Sequence, residues 1–110
     1  MFSDPTSTLI KAASNYDKTR KVVLLQNDGN ATVDLSLQVS ILDYDYKLSG
    51  KELGNTFTVD RNHSATGLNS TSINFYWLSN DTLQIEYDKL LRTFIQEKKV
   101  DGVTIIYKAK

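Results

Sequence analysis

Cysteine is absent from this chain, and histidine, proline and tryptophan occur once each. The missing cysteine removes disulfide staples, thiol catalysis, iron–sulfur clusters and cysteine-rich zinc sites together, and leaves the redox compartment unreadable. Gly29, Gly50, Gly54, Gly67 and Gly102 are scattered, so no glycine loop cradles a phosphate and no cofactor is expected. Neither sign of charge is in excess: 13 basic residues balance 13 acidic ones. That balance offers no broad positive field for nucleic acid or anionic lipid. The one dense basic run, Lys18, Arg20 and Lys21, reads as a solvated strand end. No apolar run approaches the ~20 residues that span a bilayer. Met1 to Pro5 lacks the charged and apolar regions of a signal peptide. The expectation is a cytosolic protein, or one whose targeting segment lies outside this sequence.

What is present describes one domain. A chain of 110 residues with 40% hydrophobic and 24% charged residues can bury a core without metal or disulfides. Val33, Leu35, Leu37, Val39 and Ile41 alternate with Asp34, Ser36, Gln38 and Ser40, the two-residue period of a half-buried strand. Before them, Val22 to Leu25 form a continuous apolar run and Asn27 to Asn30 supply turn chemistry, which together predict a hairpin. A second hairpin is predicted from Ile73, Phe75 and Trp77, the turn Ser79-Asn80-Asp81, and Leu83, Ile85 and Tyr87. Leu9 to Ala13 suits a strand or a short helix, and residues 1–7 are expected to be flexible. Asp43 to Gly54 reads as a surface loop with exposed tyrosines, leading into a short strand from Thr56 to Val59. Asp101-Gly102 turns the chain into a closing strand from Val103 to Tyr107. Leu90, Leu91, Phe94 and Ile95 fall at helical spacing, yet Thr93 to Ile95 also suits a strand, so residues 88–99 are open between the two. The resulting class is mainly β, an antiparallel meander, sandwich or partly closed barrel of about seven short strands with at most one helix.

Chemistry-bearing residues are few. His63 sits in a polar loop with Asp60, Arg61 and Asn62, where a general base or a metal ligand is conceivable and a solvated, loop-bracing histidine is the plainer account. No zinc spacing and no glycine-flanked nucleophilic serine accompany it, so no catalytic residue and no metal ligand is assigned. Asn27 to Asn30 has calcium-type side chains but lacks the distal glutamate of a calcium loop. Asn30, Asn62, Asn69 and Asn80 begin N-glycosylation acceptor triplets, relevant only in a eukaryotic secretory pathway. If Trp77 points inward, Tyr76 points outward and joins Tyr44 and Tyr46 as an amphipathic contact surface. The candidate binding patch is therefore Asp28, Asn30, Asp60, Asn62, His63, Tyr44, Tyr46 and Tyr76.

Three stretches, KVVLLQNDGNATVDLSLQVSIL, GNTFTVDRNHSA and FYWLSNDTLQIEYDKLLRTFIQEKKVDGVTIIYK, cover most of residues 20–108. In this order they resemble a family of short uncharacterised bacterial proteins that often carry a lipoprotein-type or secretory leader. The first turn of that family resembles Asp-Cys-Gly-Ala-Thr-Thr. Asp28, Gly29, Asn30, Ala31 and Thr32 keep only part of it, and without the cysteine no thiol role transfers. Asp60, Asn62 and His63 match better, as does the framework of Trp77, Leu83, Ile85, Tyr87, Val100, Gly102 and Tyr107. The resemblance implies a bacterial periplasmic or envelope location, with any lipid anchor outside this sequence, and no particular activity. The leading expectation is a non-enzymatic domain that binds a protein or an envelope component, with no nucleic acid as partner. The alternatives are an immunity-type inhibitor of a toxin, and a small hydrolase-like enzyme using Asp60 and His63.

Overall fold

The structure, a computed structural model, describes residues 7–27, 36–48, 54–60 and 72–110. Among them the chain forms nine strands and no helix: β1 (Ser7–Ser14), β2 (Arg20–Asn27), β3 (Ser36–Asp43), β4 (Phe57–Asp60), β5 (Ile73–Ser79), β6 (Thr82–Tyr87), β7 (Arg92–Gln96), β8 (Lys99–Val100) and β9 (Val103–Ala109). The mainly-β class holds, with a few more strands than the pattern suggested. The strand pairings of both predicted hairpins form, although Asn27, read as a turn residue, ends β2, and residues 28–35, Val33 and Leu35 among them, lie outside the described residues. β2 pairs antiparallel with β3 from Arg20↔Asp43 to Asn27↔Ser36, and β5 pairs antiparallel with β6 from Ile73↔Tyr87 to Ser79↔Thr82. Residues Leu9 to Ala13 lie in a strand, β1, which pairs with β2 through a bulge between Leu9 and Lys11.

The strands assemble into a five-stranded sheet, β1-β2-β3-β4-β7, and a four-stranded sheet, β5-β6-β9-β8. Alternate residues of the larger sheet, among them Val22, Leu24, Leu37, Val39, Phe57 and Val59, meet Ile73, Trp77, Leu83, Ile85, Val103 and Ile105 of the smaller sheet in one core. Among the described residues the two sheets do not close into a barrel. Phe57 of β4 fills the middle of that core, its ring 5.0 Å from Tyr87 and 5.1 Å from Tyr107, in the tilted geometry that aromatic quadrupoles favour.

One pairing departs from the expected antiparallel pattern: β6 and β9 run parallel, from Thr82↔Thr104 to Tyr87↔Ala109. The cause lies in residues 88–99. After β6 the chain crosses to the edge of the larger sheet, runs as β7 beside β4, bends, and returns as β8, which turns back into β9. At the bend the Glu97 amide donates to the Thr56 carbonyl and the Ile105 amide donates to the Lys98 carbonyl, both at 2.8 Å. One bent segment thus serves both sheets. Asp101 (φ 52°) and Gly102 (φ 81°) make the turn that follows, and two successive positive φ values are the geometry for which Asp-Gly is chosen. Tyr107 locks the corner, its hydroxyl donating to the carbonyls of Thr56 (3.3 Å) and Glu97 (2.5 Å). Burial, with the nearby Glu97 carboxylate, pushes that hydroxyl well above the usual tyrosine range, so it stays a donor.

Candidate functional site

The described members of the sequence-based patch occupy three parts of the molecule. Tyr44 and Tyr46 follow β3 at the end of the larger sheet where Arg20 opposes Asp43, whereas Asp60 lies at the other end, opposite Ser36. The length of β3 separates the two by about 23 Å. Tyr76 projects from the outer face of the smaller sheet, while its neighbour Trp77 is buried as expected. Asp28, Asn30, Asn62 and His63 lie outside the described residues. The patch therefore does not gather the tyrosines around Asp60.

Asp60 itself is only 3% exposed. It faces Arg92 across the β4–β7 pair. Arg92 Nε donates to Oδ1 at 3.2 Å and Nη2 to Oδ2 at 2.5 Å. A planar guanidinium matched to both oxygens of a carboxylate is the strongest form of side-chain ion pair. Asp60 therefore has a structural partner in place on β7.

A different constellation forms at the opposite end, where the Asn15–Thr19 turn, the segment after β3, the Asn80-Asp81 turn and the Asp101-Gly102 turn converge. Asn15, 2% exposed, organises it. Its Oδ1 accepts the Thr19 and Arg20 amides at 3.0 and 3.1 Å, and its Nδ2 donates to Thr19 Oγ1 and to the Asn80 carbonyl at 3.0 and 3.1 Å. One amide side chain uses donor and acceptor sides at once, closing its own turn and tying it to the other sheet. Asn80 reciprocates, its Oδ1 accepting the Asp17 amide at 2.8 Å. Asn15→Ala is expected to cost about 2 kcal/mol, because Thr19 and Arg20 lose acceptors in a partly buried turn. Chemical denaturation measures that loss, and an unchanged midpoint would show that the two turns are held by something else.

Between these turns lies an open cleft of about 390 Å³ lined by Asp17, Thr19, Arg20, Asn80, Asp81, Asp101, Gly102 and Val103. Arg20 reaches Asp43 Oδ1 at 3.3 Å and Asp101 Oδ2 at 2.9 Å. The second contact is an ion pair whose angle is not that of a hydrogen bond, since Nε has no hydrogen-bond partner. Asp17 Oδ1 accepts the Thr19 amide and hydroxyl, at 3.1 and 2.6 Å, and Asp81 Oδ1 accepts the Ser79 hydroxyl at 2.8 Å. These are the local bonds by which aspartates build turns. Among the described residues no three His, Cys, Asp or Glu side chains are placed to hold a metal.

Exposed tyrosines stand at the same end: Tyr16 precedes the cleft-lining Asp17, and Tyr44 is bonded to the cleft-lining Thr19. Tyr16 is 69% exposed although its hydroxyl donates to the Trp77 carbonyl at 2.6 Å. The Trp77 indole in turn donates to the Ala13 carbonyl at 3.0 Å, so β1 and β5 are clipped together under the tyrosine ring. Tyr44 and Tyr46 are also exposed. The Tyr44 amide donates to the Thr19 carbonyl at 3.1 Å, the Tyr46 amide to the Asp43 carbonyl at 3.0 Å, and Lys21 Nζ to the Tyr46 carbonyl. Their backbones are held, and the two residues are 37% and 43% exposed. The turn chemistry at residues 79–81 and 101–102 was readable in the sequence, but nothing in sequence spacing said that these turns share one end with Asn15–Thr19. Comparison of the chain with protein-family models, with curated proteins and with solved structures returned no match.

Proposed function

We propose that this chain is a non-enzymatic binding domain of the bacterial cell envelope that engages a protein partner through its tyrosine-bearing end. The observation that carries the reading is the placement of Tyr16, Tyr44 and Tyr46: exposed rings on turns whose backbones are fixed by hydrogen bonds. Large, stiff, amphipathic side chains on braced turns give contact area at low entropic cost, and turns at the end of a β-sandwich are a common place for recognition. The resemblance over residues 20–108 supports the envelope location.

A second reading is favoured by the cleft. Asp17, Asp81 and Asp101 line it against the single basic residue Arg20, and a cleft with three carboxylates suits an immunity-type inhibitor of a basic toxin, where complementary charge speeds encounter.

The test uses the immobilised domain, an envelope extract and a combined Tyr16→Ser, Tyr44→Ser, Tyr46→Ser variant that keeps the wild-type circular dichroism spectrum. A partner recovered by the wild type is expected to bind this variant at least roughly a hundredfold more weakly, the effect of losing central aromatic anchors. Equal recovery by both proteins would rule out the tyrosine end as the contact. An Asp17→Asn, Asp81→Asn variant that loses only the association rate would identify the charged, toxin-type encounter.

A further inference from the structure

The outer face of the smaller sheet carries a second surface of different chemistry. Pair register fixes which residues share that face: Tyr76↔Gln84 and Gln84↔Ile106 make a central row. Glu86↔Lys108 lies on one side of that row, and Thr104↔Lys99 on the other. The intervening Leu83, Ile85 and Ile105 point into the core. Tyr76, Leu78 and Ile106 on the outer face are 48%, 50% and 41% exposed. Glu86 is the one acid among the outward residues of these strands, and Lys110 Nζ sits 2.6 Å from its Oε1. That hydrogen bond is the main cause holding the Glu86 carboxyl below the usual range, so Glu86 and Lys110 cancel and Lys99 and Lys108 remain. Three further acids, Asp17, Asp81 and Asp101, line the cleft at the tyrosine end together with Arg20.

We propose that this face docks on an anionic bilayer surface, with Tyr76, Leu78 and Ile106 at the headgroup boundary and Lys99 and Lys108 on the lipid phosphates. The pattern matches what a charged membrane surface selects: an aromatic with a polar tip and aliphatic side chains at the interface, flanked by lysines whose stems lie along apolar surface while their ammonium groups reach anionic headgroups. A protein partner is the poorer fit, because the centres of protein interfaces are depleted in lysine. The proposal is independent of the tyrosine end.

The test is co-sedimentation of the full chain with vesicles of phosphatidylcholine alone and of phosphatidylcholine mixed with phosphatidylglycerol. Binding is expected only to the mixed vesicles, and it should be lost when salt is raised from about 0.1 M to about 1 M, which shortens the screening length from about 10 Å to about 3 Å. Lys99→Gln and Lys108→Gln should each weaken partition about fivefold. Tyr76→Ser with Ile106→Ser should abolish it without moving the melting temperature, and the variant lacking Tyr16, Tyr44 and Tyr46 should bind vesicles like the wild type. Absence of binding to the mixed vesicles, equal binding to neutral ones, or binding indifferent to the Lys99 and Lys108 changes would each overturn the proposal.

Discussion

Phe57→Ala is expected to lower the unfolding free energy by about 4 kcal/mol, the largest single loss available in the core. Its ring is completely buried and touches both sheets at once, with Tyr87 on β6 and Tyr107 on β9. Truncation removes transfer energy, leaves a cavity and discards two aromatic contacts, and such changes cost about 3–5 kcal/mol. Against the usual 5–15 kcal/mol of a whole domain, that brings the fold close to its limit. The cavity should also free the Tyr107 ring, loosening the corner where Tyr107 bonds the carbonyls of Thr56 and Glu97. Phe57→Leu, which keeps much of the volume, should cost no more than about 1.5 kcal/mol. Urea denaturation of the three proteins separates these outcomes. A loss under about 1 kcal/mol for Phe57→Ala would mean that β4 does not bridge the sheets as described.

The core was legible because its signal is local. Leu37, Val39 and Ile41 are buried at the two-residue period that predicted β3. Their alternates Gln38 and Ser40 are buried as well, which periodicity does not show. The reason is a later segment lying against β3. The Gly54 amide donates to Gln38 Oε1 at 2.6 Å, the Asn55 amide to Ser40 Oγ at 3.2 Å, and Asn55 brackets the Ile41 backbone with its side chain. Only glycine fits at position 54, where an added Cβ would stand 2.8 Å from Gln38 Cβ. Residues 88–99 were ambiguous for a related reason. Of Leu90, Leu91, Phe94 and Ile95, only Leu91 is buried. Their helical spacing is therefore not a core stripe, and the segment is drawn into strand by the open hydrogen bonds of β4 and β9. A one-dimensional pattern carries no record of those distant partners.

The candidate site was legible only in pieces. Exposed Tyr44 and Tyr46 and the aspartate-bearing turns were read correctly one by one. Their convergence depends on which end each turn occupies, and the parallel β6–β9 pair fixes that for Asp101 and Gly102. Net charge is silent about placement in the same way. A balance of 13 against 13 offers no broad positive field, and it does not say that pair register leaves Lys99 and Lys108 on one face of the smaller sheet. Charge is a sum in sequence and a distribution in space.

Arg92→Ala is expected to cost about 3 kcal/mol, and Asp60→Ala clearly less, although both delete the same ion pair. The asymmetry follows from burial: the Asp60 side chain is 4% exposed and that of Arg92 39%. With the arginine gone, the carboxylate keeps its buried position and loses the fork that compensated its desolvation, the circumstance in which breaking a buried pair costs about 3–5 kcal/mol. The remaining contacts of Asp60 place the loss at the lower end of that range. With the aspartate gone, the guanidinium already reaches solvent and still lies 4.9 Å from the Phe94 ring, so little charge is stranded. Denaturation of both single variants and of the double variant closes the cycle, with a coupling of about 1–3 kcal/mol expected between the two positions. Equal costs, or a larger cost for Asp60→Ala, would show that the buried carboxylate is held chiefly by groups other than Arg92.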